Sequence, residues 1–384
     1  MHSPILTRKN ASVIILIYMK VLQLGKFYPI FGGVEKVMYD LTMGLGCDML
    51  CASADKRRAF NTFSFDGGGS IFVAPTLFKA AGTMIAPKMV SWLKRHAGEY
   101  DLIDIHHPDP MAGLALRLSR FKGKVILHWH SDIIGKGLFR ILYKPLQNWL
   151  IRRADRIVGT TPVYVSGTPD LKAVQDKTTF VPIGIAPFRP EAEAADKIRQ
   201  ELGGKKLVFS LGRLIPYKGY ENLIRAAGYL PDDYKVVIGG SGPLRANLQQ
   251  EIDSLGLSGK VTLAGYMKDE DLPAWFSAAD VFVLPSVTKN EAFGIVQIEA
   301  MSVGTPVVAT KIPGSGVSWV NEDGLSGLNV EPGNPKALAD AIMAITKNET
   351  SRKTFSKNAF LRYGALFTKD LMINKITELY EKTA

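Results

Sequence analysis

The sequence predicts an α/β protein with two doubly wound, Rossmann-like sheets. Short runs of β-branched and aliphatic residues, bounded by glycine and proline, alternate with longer helical patterns, which is typical of parallel βαβ units. The alternation runs to a proline-rich stretch at 182–190 and then begins again. A chain of 384 residues is long enough for two such domains, each with its own core.

The candidate strands fall into two series, one on each side of that stretch. The first series is 21–24, 49–52, 71–74, 102–106, 125–128, 157–160 and 180–183. The second is 207–211, 235–238, 261–264, 281–284, 306–309 and 328–330. Two complete series favour two open sheets over one closed barrel. We therefore expect domains at 19–185 and 186–364, followed by a C-terminal helix at about 365–384.

The first 18 residues are interpreted as an N-terminal extension. Residues 11–24 are apolar apart from Ser12, Lys20 and Gln23, and they follow two basic residues, as in a signal sequence. A membrane-spanning helix needs about 20 uninterrupted apolar residues, whereas Lys20 interrupts this run and no small-residue cleavage site follows it. We expect Met19 to be the functional start and the segment after it to form the first buried strand.

The positive charge of the chain is confined to its first half. Lys and Arg number 47 against 36 Asp and Glu, which gives a net charge of +11. Residues 1–185 carry the whole surplus, with 24 basic and 13 acidic side chains, whereas 186–384 carry 23 of each. This asymmetry predicts a polyanionic partner for the first domain. Anionic lipid is favoured over nucleic acid, because zinc-finger spacing, a helix-turn-helix pattern and an RNA-binding aromatic signature are all missing from the sequence.

Gly32 and Gly33 form a glycine turn between the first strand and a helical pattern that starts at Val34. Glycines let the backbone approach a ligand closely, and a helix N-terminus offers unpaired N–H groups to an anion. The pair also fits a plain tight turn, and the sequence leaves both interpretations open. Its spacing differs from that of the dinucleotide-binding fingerprint.

Arg213 and Lys218 lie in a short loop just after the candidate strand 207–211. Open α/β sheets bind ligands at the carboxyl ends of their strands. Two cations there can hold a diphosphate and stabilise the charge that develops as it departs, without a metal. The alternative is a solvated loop in which both side chains face water.

Two glutamates eight residues apart, Glu291 and Glu299, bracket the start of a helical pattern in the second half. Phe293, Gly294 and Ile295 would expose their backbone amides at that helix N-terminus. At about 100° per residue, the two carboxylates differ by about 80° around an ideal helix. They can therefore contact different parts of one extended ligand. The alternative is that both simply complement the helix dipole.

Four histidines cluster at the ends of two candidate strands of the first domain: His106, His107, His128 and His130. Residues two apart share one face of a strand, so His128 and His130 can bind a metal together if the strand continues. We favour a single functional histidine, His130, at the ligand edge of the sheet, because no carboxylate-rich motif accompanies the cluster. The two cysteines of the chain cannot complete a structural zinc site or a disulfide scaffold. No metal is expected.

Taken together, these segments resemble the retaining glycosyltransferases of family four, the large group 1 family with the two-domain GT-B fold. The resemblance covers most of the chain from Met19 onward, and its specific part is the cation loop combined with the Glu291-x7-Glu299 element. Further matching segments are 32–35, 105–108, 128–132, 182–184 and 304–306. Motifs typical of hydrolases and kinases, namely a nucleophile elbow, a phosphate-loop lysine and a His-Glu-x-x-His zinc motif, are absent from the sequence.

The resemblance implies two Rossmann-like domains facing a cleft, with a nucleotide-diphosphate sugar on the C-terminal domain and the acceptor on the N-terminal one. Arg213 and Lys218 would hold the diphosphate, helped by the Gly33 amide. Glu291 and the amides of Phe293 to Ile295 would bind the donor sugar, and Glu299 would bind the ribose. The backbone at Tyr266 and Met267 would face the base. His130 would lie near the reacting side of the sugar. The C-terminal helix would cross back onto the first domain.

The implied reaction moves a hexosyl unit from a UDP- or GDP-hexose, with retention and without a metal or cofactor. Many bacterial members extend lipid-linked glycans, which implies a polyisoprenoid-diphosphate-linked acceptor and a cytoplasmic protein that is peripheral on the inner membrane, as in O-antigen or capsule synthesis. Candidate contacts with the anionic surface are the basic segment 56–58 and the segment around Lys79, Lys88, Trp92, Lys94 and Arg95. The alternative for that second segment is a core-facing helix with solvated lysines.

Three other functions stay open at this point. They are a GT-B sugar-nucleotide epimerase, a transferase with a small soluble acceptor, and a non-catalytic GT-B subunit that binds a nucleotide sugar and activates a partner. The presence of both motif glutamates argues against the non-catalytic subunit.

Overall fold

The fold has the α/β class that the sequence predicts. The computed structural model describes residues 19–30, 32–55, 59–66, 68–80, 82–133 and 137–384. They form two compact units: unit 1 comprises the residues up to Pro182 together with Lys369–Ala384, and unit 2 comprises Ile183–Thr368. The expected N-terminal extension at 1–18 lies outside the described residues.

Unit 1 is built on an eight-stranded sheet with an additional small hairpin. The strands of unit 1 are β1 (Val21–Tyr28), β2 (Asp48–Ser53), β3 (Asn61–Ser64), β4 (Ser70–Ala74), the hairpin strands β5 (Phe78–Ala80) and β6 (Thr83–Ile85), β7 (Leu102–His107), β8 (Lys124–Trp129), β9 (Arg156–Gly159) and β10 (Thr178–Phe180). The sheet has the order β10-β9-β8-β7-β1-β2-β4-β3 and is parallel except for β3, which pairs antiparallel with β4. Its helices are α1 (Gly33–Leu45), α2 (Pro87–His96), α3 (Pro110–Ser119), α4 (Gly137–Arg153) and α5 (Pro162–Ser166).

Unit 2 contains a six-stranded, all-parallel sheet. Its strands are β11 (Lys206–Leu211), β12 (Tyr234–Gly239), β13 (Val261–Gly265), β14 (Val281–Leu284), β15 (Val307–Thr310) and β16 (Gly327–Val330), in the order β13-β12-β11-β14-β15-β16. Its helices are α6 (Ala192–Glu201), α7 (Tyr220–Ala227), α8 (Arg245–Ser254), α9 (Leu272–Ala278), α10 (Ile295–Ser302), α11 (Val317–Val320), α12 (Pro335–Thr346) and α13 (Glu349–Leu366). The four central strands are apolar and buried along almost their whole length, as expected when helices cover both faces of a parallel sheet, whereas the edge strands β13 and β16 are only partly buried.

The predicted strands differ from the observed ones mainly in unit 1. The strand β3 and the β5–β6 hairpin are not predicted, because they are short, antiparallel and exposed or half-buried, without the apolar runs of central strands. The predicted strand 180–183 is wrong in its bounds, since β10 ends at Phe180. Pro182 has no N–H to donate to a ladder, and this disfavours a longer strand.

Each sheet has one position where the strand order reverses. It lies between β1 and β7 in unit 1, and between β11 and β14 in unit 2. Ligands of open α/β sheets bind just outside the carboxyl ends of the strands at such positions. The residues that follow β1, β7 and β8, and those that follow β11 and β14, are therefore the best placed for function.

The C-terminal helix α14 (Lys369–Glu381) packs in unit 1, although the chain enters it from unit 2. Lys369 Nζ pairs with Asp40 Oδ1 of α1 at 2.8 Å. A side chain at position 44 of α1 would collide with Ile373, so Gly44 allows the two helices to approach closely. Near the end of α14, Tyr380 is fully buried. The helix thus contributes a side chain to the interior of unit 1.

Candidate functional site

The loop after β11 carries both predicted cations. It runs from Gly212 through a 3₁₀ turn at Pro216–Lys218 to the start of α7. Arg213 is exposed, and its guanidinium Nη2 lies 3.5 Å from the hydroxyl of Tyr217. Lys218, in contrast, is buried. The loop therefore presents one cation to solvent and holds the other against the edge of the sheet.

Lys218 forms an ion pair with Glu291 at the reversal point of the unit 2 sheet. Lys218 Nζ lies 2.6 Å from Glu291 Oε2, and the two side chains are only 10% and 11% exposed. Ser286 Oγ donates a hydrogen bond to the same carboxylate oxygen at 2.9 Å. Removing one member of such a buried pair leaves the other uncompensated, which costs about 3–5 kcal/mol. The structure therefore places Lys218, which is predicted to bind the diphosphate, in direct contact with Glu291, which is predicted to bind the donor sugar.

Gly219 determines how closely the two loops approach each other. Its φ of +66° lies in the left-handed region, where side chains are strained. A Cβ at this position would also collide with the backbone oxygen of Pro285, directly after β14. A glycine here lets the loop after β11 pass close to the end of β14. Lys218 can reach Glu291 for this reason.

The loop that holds Glu291 is fixed before α10 begins. The hydroxyl of Ser315 donates a hydrogen bond to the backbone oxygen of Glu291. Phe293 is buried, and Gly294 turns the chain into α10 with a φ of +76°. The first N–H groups of a helix have no partner within the helix, so they are available to an anion or to a sugar hydroxyl. The amides of Phe293, Gly294 and Ile295 therefore lie at a helix start, as predicted, and follow Glu291 closely in the sequence.

The other three predicted donor contacts differ in their exposure. Glu299 is half-buried in the second turn of α10. Tyr266, which follows β13, is 76% exposed. Met267 packs against the end of β12, where a side chain on Gly239 would collide with its sulfur. The region predicted to face a base thus has one packed residue, Met267, and one exposed aromatic ring, Tyr266.

Gly32 and Gly33 lie in unit 1 at the start of α1. Gly32 is the N-cap, with extended φ and ψ of −146° and 167°, and Gly33 is the first helical residue. Glu35 folds back over this end of the helix, so that a Cβ on Gly32 would collide with its carboxylate. A carboxylate in this position complements the helix dipole. In this structure the missing Cβ of Gly32 makes room for Glu35.

His130 belongs to a buried group of three histidines in unit 1. The rings of His106, His128 and His130 stack nearly parallel, with centroids between 4.5 and 5.0 Å apart. His106 Nδ1 and His130 Nε2 are hydrogen-bonded at 2.7 Å. Burial lowers the pKa of His106 to about 3, and burial together with the neighbouring histidines holds the pKa of His130 well below its usual value. Both rings are therefore neutral near pH 7.

Nitrogen atoms of these three rings lie within 4.8 Å of one another, close enough to raise the question of a shared metal. A metal site needs lone pairs that converge on one point. Here the rings are stacked, and the 2.7 Å hydrogen bond already joins a ring N–H of one histidine to a ring lone pair of another. The geometry is that of a hydrogen-bonded group.

Three buried polar residues around the histidines belong to no motif: Gln23 on β1, Asp104 on β7 and Tyr380 on α14. Gln23 Oε1 lies 2.7 Å from His106 Nε2, and the Tyr380 hydroxyl lies 2.7 Å from both Gln23 Nε2 and Asp104 Oδ2. A usable signal was present for two of them, because an amide and a carboxylate interrupt otherwise apolar candidate strands. Tyr380 carries no such signal, since it is 276 residues away from Asp104.

The prediction that Trp92 contacts a membrane is wrong. Helix α2 turns Met89, Trp92 and Leu93 into the core, and Trp92 is only 7% exposed. Its ring packs against Phe72, with centroids 4.5 Å apart. The basic side chains of α2, Lys88, Lys94 and Arg95, do lie on the exposed face, whereas the basic segment 56–58 lies outside the described residues. Of the helices that the structure describes, none is both long and apolar enough to cross a bilayer.

Two family matches together cover most of the chain. Residues 192–362 match the family described as glycosyl transferases group 1, and residues 31–187 match Glycosyltransferase Family 4. The first match contains the cation loop, the Lys218–Glu291 pair and α10. The second contains the histidine cluster.

Two curated relatives match over nearly their whole length. The O-antigen chain mannosyltransferase C of Escherichia coli is 31% identical over 373 residues, which cover 94% of this chain and 98% of the relative. The D-rhamnosyltransferase WbpZ of Pseudomonas aeruginosa is 31% identical over 360 residues, which cover 91% and 92% of the two chains.

Solved structures with the same fold include two bacterial proteins. The HepE protein of Anabaena, solved in complex with UDP, has a TM-score of 0.78 and 23% identity, over 95% of this chain and 100% of that one. The sucrose-phosphate synthase of Thermosynechococcus elongatus also has a TM-score of 0.78 and 23% identity, over 94% and 98% of the two chains. This likeness shows that the two Rossmann-like units have the GT-B architecture.

Proposed function

This chain belongs to the group 1 glycosyltransferases, and from that membership we propose that it is a retaining, metal-independent hexosyltransferase. Its donor is a nucleotide-diphosphate sugar, a UDP- or GDP-hexose, bound by unit 2. Its acceptor is a glycan carried on a polyisoprenoid diphosphate, bound by unit 1. The observation that supports the proposal most is the buried pair of Lys218 and Glu291 at the reversal point of the unit 2 sheet.

The Lys218–Glu291 pair supplies opposite charges at one position. On donor binding, Lys218 exchanges the carboxylate for the diphosphate, and Glu291 then accepts hydrogen bonds from hydroxyls of the donor sugar. Arg213, exposed in the same loop, adds a second positive charge. These cations stabilise the negative charge that develops on the departing diphosphate, which is the part a divalent metal plays in other transferases.

The remaining donor contacts follow the order of the loops at the same edge of the sheet. The amides of Phe293, Gly294 and Ile295 bind the sugar beside Glu291. Glu299, in the second turn of α10, accepts a hydrogen bond from the ribose. The backbone at Tyr266 and Met267 faces the base. The half-buried position of Glu299 supports its role, because a carboxylate shielded from water discriminates better between a hydroxyl and its absence.

Retention is proposed to follow from attack on the face that the leaving group occupies. The acceptor oxygen bonds to C1 of the hexose, the bond from C1 to the diphosphate oxygen breaks, and that diphosphate oxygen takes the proton of the acceptor hydroxyl. The protein contributes positioning and charge stabilisation rather than a carboxylate nucleophile. His130 is neutral and contacts the reacting sugar.

The acceptor class is inferred from the two relatives that match over nearly their whole length. One of them is named for O-antigen chain mannosyl transfer and the other for D-rhamnosyl transfer. We infer that this chain likewise builds a bacterial surface polysaccharide such as O-antigen or capsule. Polyisoprenoid-linked intermediates of that kind are presented at the cytoplasmic face of the inner membrane, so the protein works there as a peripheral, cytoplasmic enzyme.

The membrane contact is assigned to exposed apolar side chains of unit 1 that stand next to basic ones. On α4, Phe139, Ile141 and Leu142 are 56%, 68% and 67% exposed, and Arg140 lies among them. Apolar residues interleaved with basic ones favour the boundary of an anionic bilayer. Replacing the three apolar residues with serine should release the protein from anionic liposomes without changing its activity on a soluble acceptor, and sedimentation with the liposomes measures the release.

Thermal-shift screening against nucleotide sugars tests the donor assignment. A ligand at a hundred times its Kd stabilises the bound state by about 2.7 kcal/mol, so the matching UDP- or GDP-hexose should raise the melting temperature and free sugars should not. Mass spectrometry of the same mixture, with a lipid-linked acceptor added, should show a longer glycan. Conversion of the donor into its epimer without a glycan product would instead identify an epimerase.

A further inference from the structure

A chain of hydrogen bonds connects the C-terminal helix with His130. Tyr380 on α14 contacts Asp104 and Gln23, Gln23 contacts His106, and His106 contacts His130. Each of the four contacts is 2.7 Å long, and every member is at most 3% exposed. The chain therefore crosses the interior of unit 1 from α14 through β1 and β7 to the end of β8.

The charge of Asp104 determines the direction of the first hydrogen bond. Burial by itself would raise the pKa of this carboxyl, but His128, His106 and the Tyr380 hydroxyl hold it below its ordinary value. Asp104 is therefore ionised near pH 7, and an ionised carboxylate can only accept. The Tyr380 hydroxyl must donate to Asp104 Oδ2, which leaves the Tyr380 oxygen to accept from Gln23.

The remaining directions follow one from another. Since the Tyr380 oxygen accepts, Gln23 turns its NH₂ group towards Tyr380 and its carbonyl Oε1 towards His106. His106 Nε2 must then carry a proton and donate it to Oε1. A neutral imidazole has only one N–H, so His106 Nδ1 is a lone pair. It accepts from His130 Nε2–H, and this leaves His130 Nδ1 without a proton.

His130 Nδ1 is thus a bare acceptor. It is buried, and no atom among the described residues forms a hydrogen bond with it. An acceptor left unpaired in a protein interior destabilises the fold, so such an atom at the ligand edge of a sheet is best explained by a partner that arrives with the substrate. A sugar hydroxyl, which donates one hydrogen bond, has the chemistry that matches.

We propose that Tyr380 is a positioning residue for His130: acting through Asp104, Gln23 and His106, it selects the His130 tautomer whose Nδ1 accepts a hydrogen bond from a substrate sugar hydroxyl. The identity of the substrate as a sugar rests on the proposed function, whereas the tautomer does not. The C-terminal helix thereby acts on the chemistry of unit 1. Gln23 and His106 are positioning residues in the same chain.

Tyr380→Phe tests the proposal because it removes one hydroxyl and keeps the ring. Without that hydroxyl the Gln23 amide is free to rotate, His106 is free to exchange its proton between nitrogens, and His130 can adopt the other tautomer. The matched control is Tyr234→Phe, which removes an equally buried hydroxyl that pairs with Thr346 at 2.7 Å in unit 2. The readout is ¹⁵N NMR of histidine-labelled full-length protein, with the six histidines assigned by single substitution.

In the unsubstituted protein, His130 should give one signal set with Nδ1 unprotonated and Nε2 protonated. Tyr380→Phe should give a mixture of tautomers, with Nδ1 partly protonated, and Tyr234→Phe should leave the spectrum unchanged. A protonated Nδ1 in the unsubstituted protein, or an unchanged tautomer in Tyr380→Phe, would overturn the proposal. These outcomes do not depend on turnover, so they stand apart from any failure of the proposed glycosyl transfer.

Measurements of activity then show whether His130 Nδ1 contacts the donor sugar or the acceptor glycan. Tyr380→Phe should lower kcat/KM about tenfold, the loss expected for one hydrogen bond, while Tyr234→Phe should match the unsubstituted enzyme. If Nδ1 binds the donor, hydrolysis of the nucleotide sugar without acceptor falls by the same factor. If it binds the acceptor, only transfer falls. A Tyr380→Phe enzyme with unchanged kcat/KM for both reactions would contradict the role in catalysis.

Discussion

The two sheets of this protein differ in the charge of the buried side chains at the points where their strand order reverses. At the reversal point of unit 2, a buried lysine and a buried glutamate face each other at 2.6 Å. At the corresponding edge of unit 1, His106 and His130 are neutral and joined to each other by a hydrogen bond. All six histidines of the chain lie before residue 183, and the unit 2 segment contains none. The two units thus separate a buried ion pair, in unit 2, from a neutral hydrogen-bonded histidine pair, in unit 1.

This separation matches the ligands proposed for each unit. A diphosphate carries fixed negative charge, and a lysine that is preorganised by a carboxylate meets it without reorganising water. A sugar hydroxyl is neutral, and a neutral imidazole can accept from it, whereas a protonated one cannot. The net charge of the chain is distributed in the opposite way, because the basic surplus lies on the half that carries the neutral site. We therefore propose that this surplus contacts an anionic membrane surface rather than the bound sugar.

The charged edge is the more fragile of the two. Lys218→Ala should lower transfer by about 10²–10³-fold, as expected when one stabilising group for developing charge is lost. It should also destabilise the fold by about 3–5 kcal/mol, because Glu291 is left buried and unpaired. Initial rates of glycan extension measure the first effect, and urea unfolding measures the second. Lys268→Ala, which changes an exposed lysine of the same unit, should do neither.

The double variant Lys218→Met with Glu291→Leu separates these two effects. Replacing both members of a buried pair by apolar residues of similar size is often neutral for stability, so folding should recover while transfer stays lost. Recovery of activity along with stability would show that the pair is only structural. That result would remove the main support for the donor site in unit 2.

The neutral edge should be the acid-sensitive one. Burial, with Lys26 adding to it, lowers the pKa of His107 to about 3 in the folded protein, against 6.5 for an unperturbed histidine. The unfolded state therefore binds more protons between these values, and stability falls as pH drops below 6.5. The loss amounts to about 1.4 kcal/mol for each pH unit and each such histidine, or about 2 kcal/mol at pH 5.

His107→Phe sharpens this point because a phenyl ring keeps the stacking on Trp129, whose centroid is 3.8 Å from that of His107. Urea unfolding followed by tryptophan fluorescence at pH 7.5 and at pH 5 should show that the variant loses about 2 kcal/mol less than the unsubstituted protein on acidification. Equal losses in the two proteins would mean that His107 is not held neutral by burial. The neutral character of this edge would then be in doubt.

The fold could be predicted well because the buried parallel strands appear in the sequence as continuous apolar runs. The strand Val281–Leu284 has the predicted bounds, and most of the central strands differ by one or two residues. The hairpin at Phe78–Ala80 and Thr83–Ile85 could not be found in this way, since an exposed antiparallel pair needs no apolar run. The misplaced strand 180–183 shows the same limit, because an apolar pattern does not report which N–H groups enter a ladder.

The candidate site could be predicted only where its residues are close in sequence. Glu291, Gly294 and Glu299 occupy one helix start, and their spacing carries the signal. The pairing of Lys218 with Glu291 joins residues 73 positions apart and depends on Gly219, whose role appears only when a Cβ is tested against Pro285. The error over Trp92 has a related cause. An amphipathic helix shows which residues are apolar, but not whether that face meets a core or a membrane.

The smallest effect is expected at Glu299, at the far end of the donor site. Glu299→Gln should raise the KM for the donor about tenfold and leave kcat nearly unchanged, because a ribose contact contributes equally to ground and transition states. A donor with 2′,3′-dideoxyribose should cost the unsubstituted enzyme a similar factor and cost the variant almost nothing further, since both changes remove the same hydrogen bond. Additive losses would show that Glu299 acts elsewhere. A fall in kcat would instead indicate that Glu299 acts near the bond that breaks. The charged part of the donor site would then include α10 as well as the Lys218–Glu291 pair.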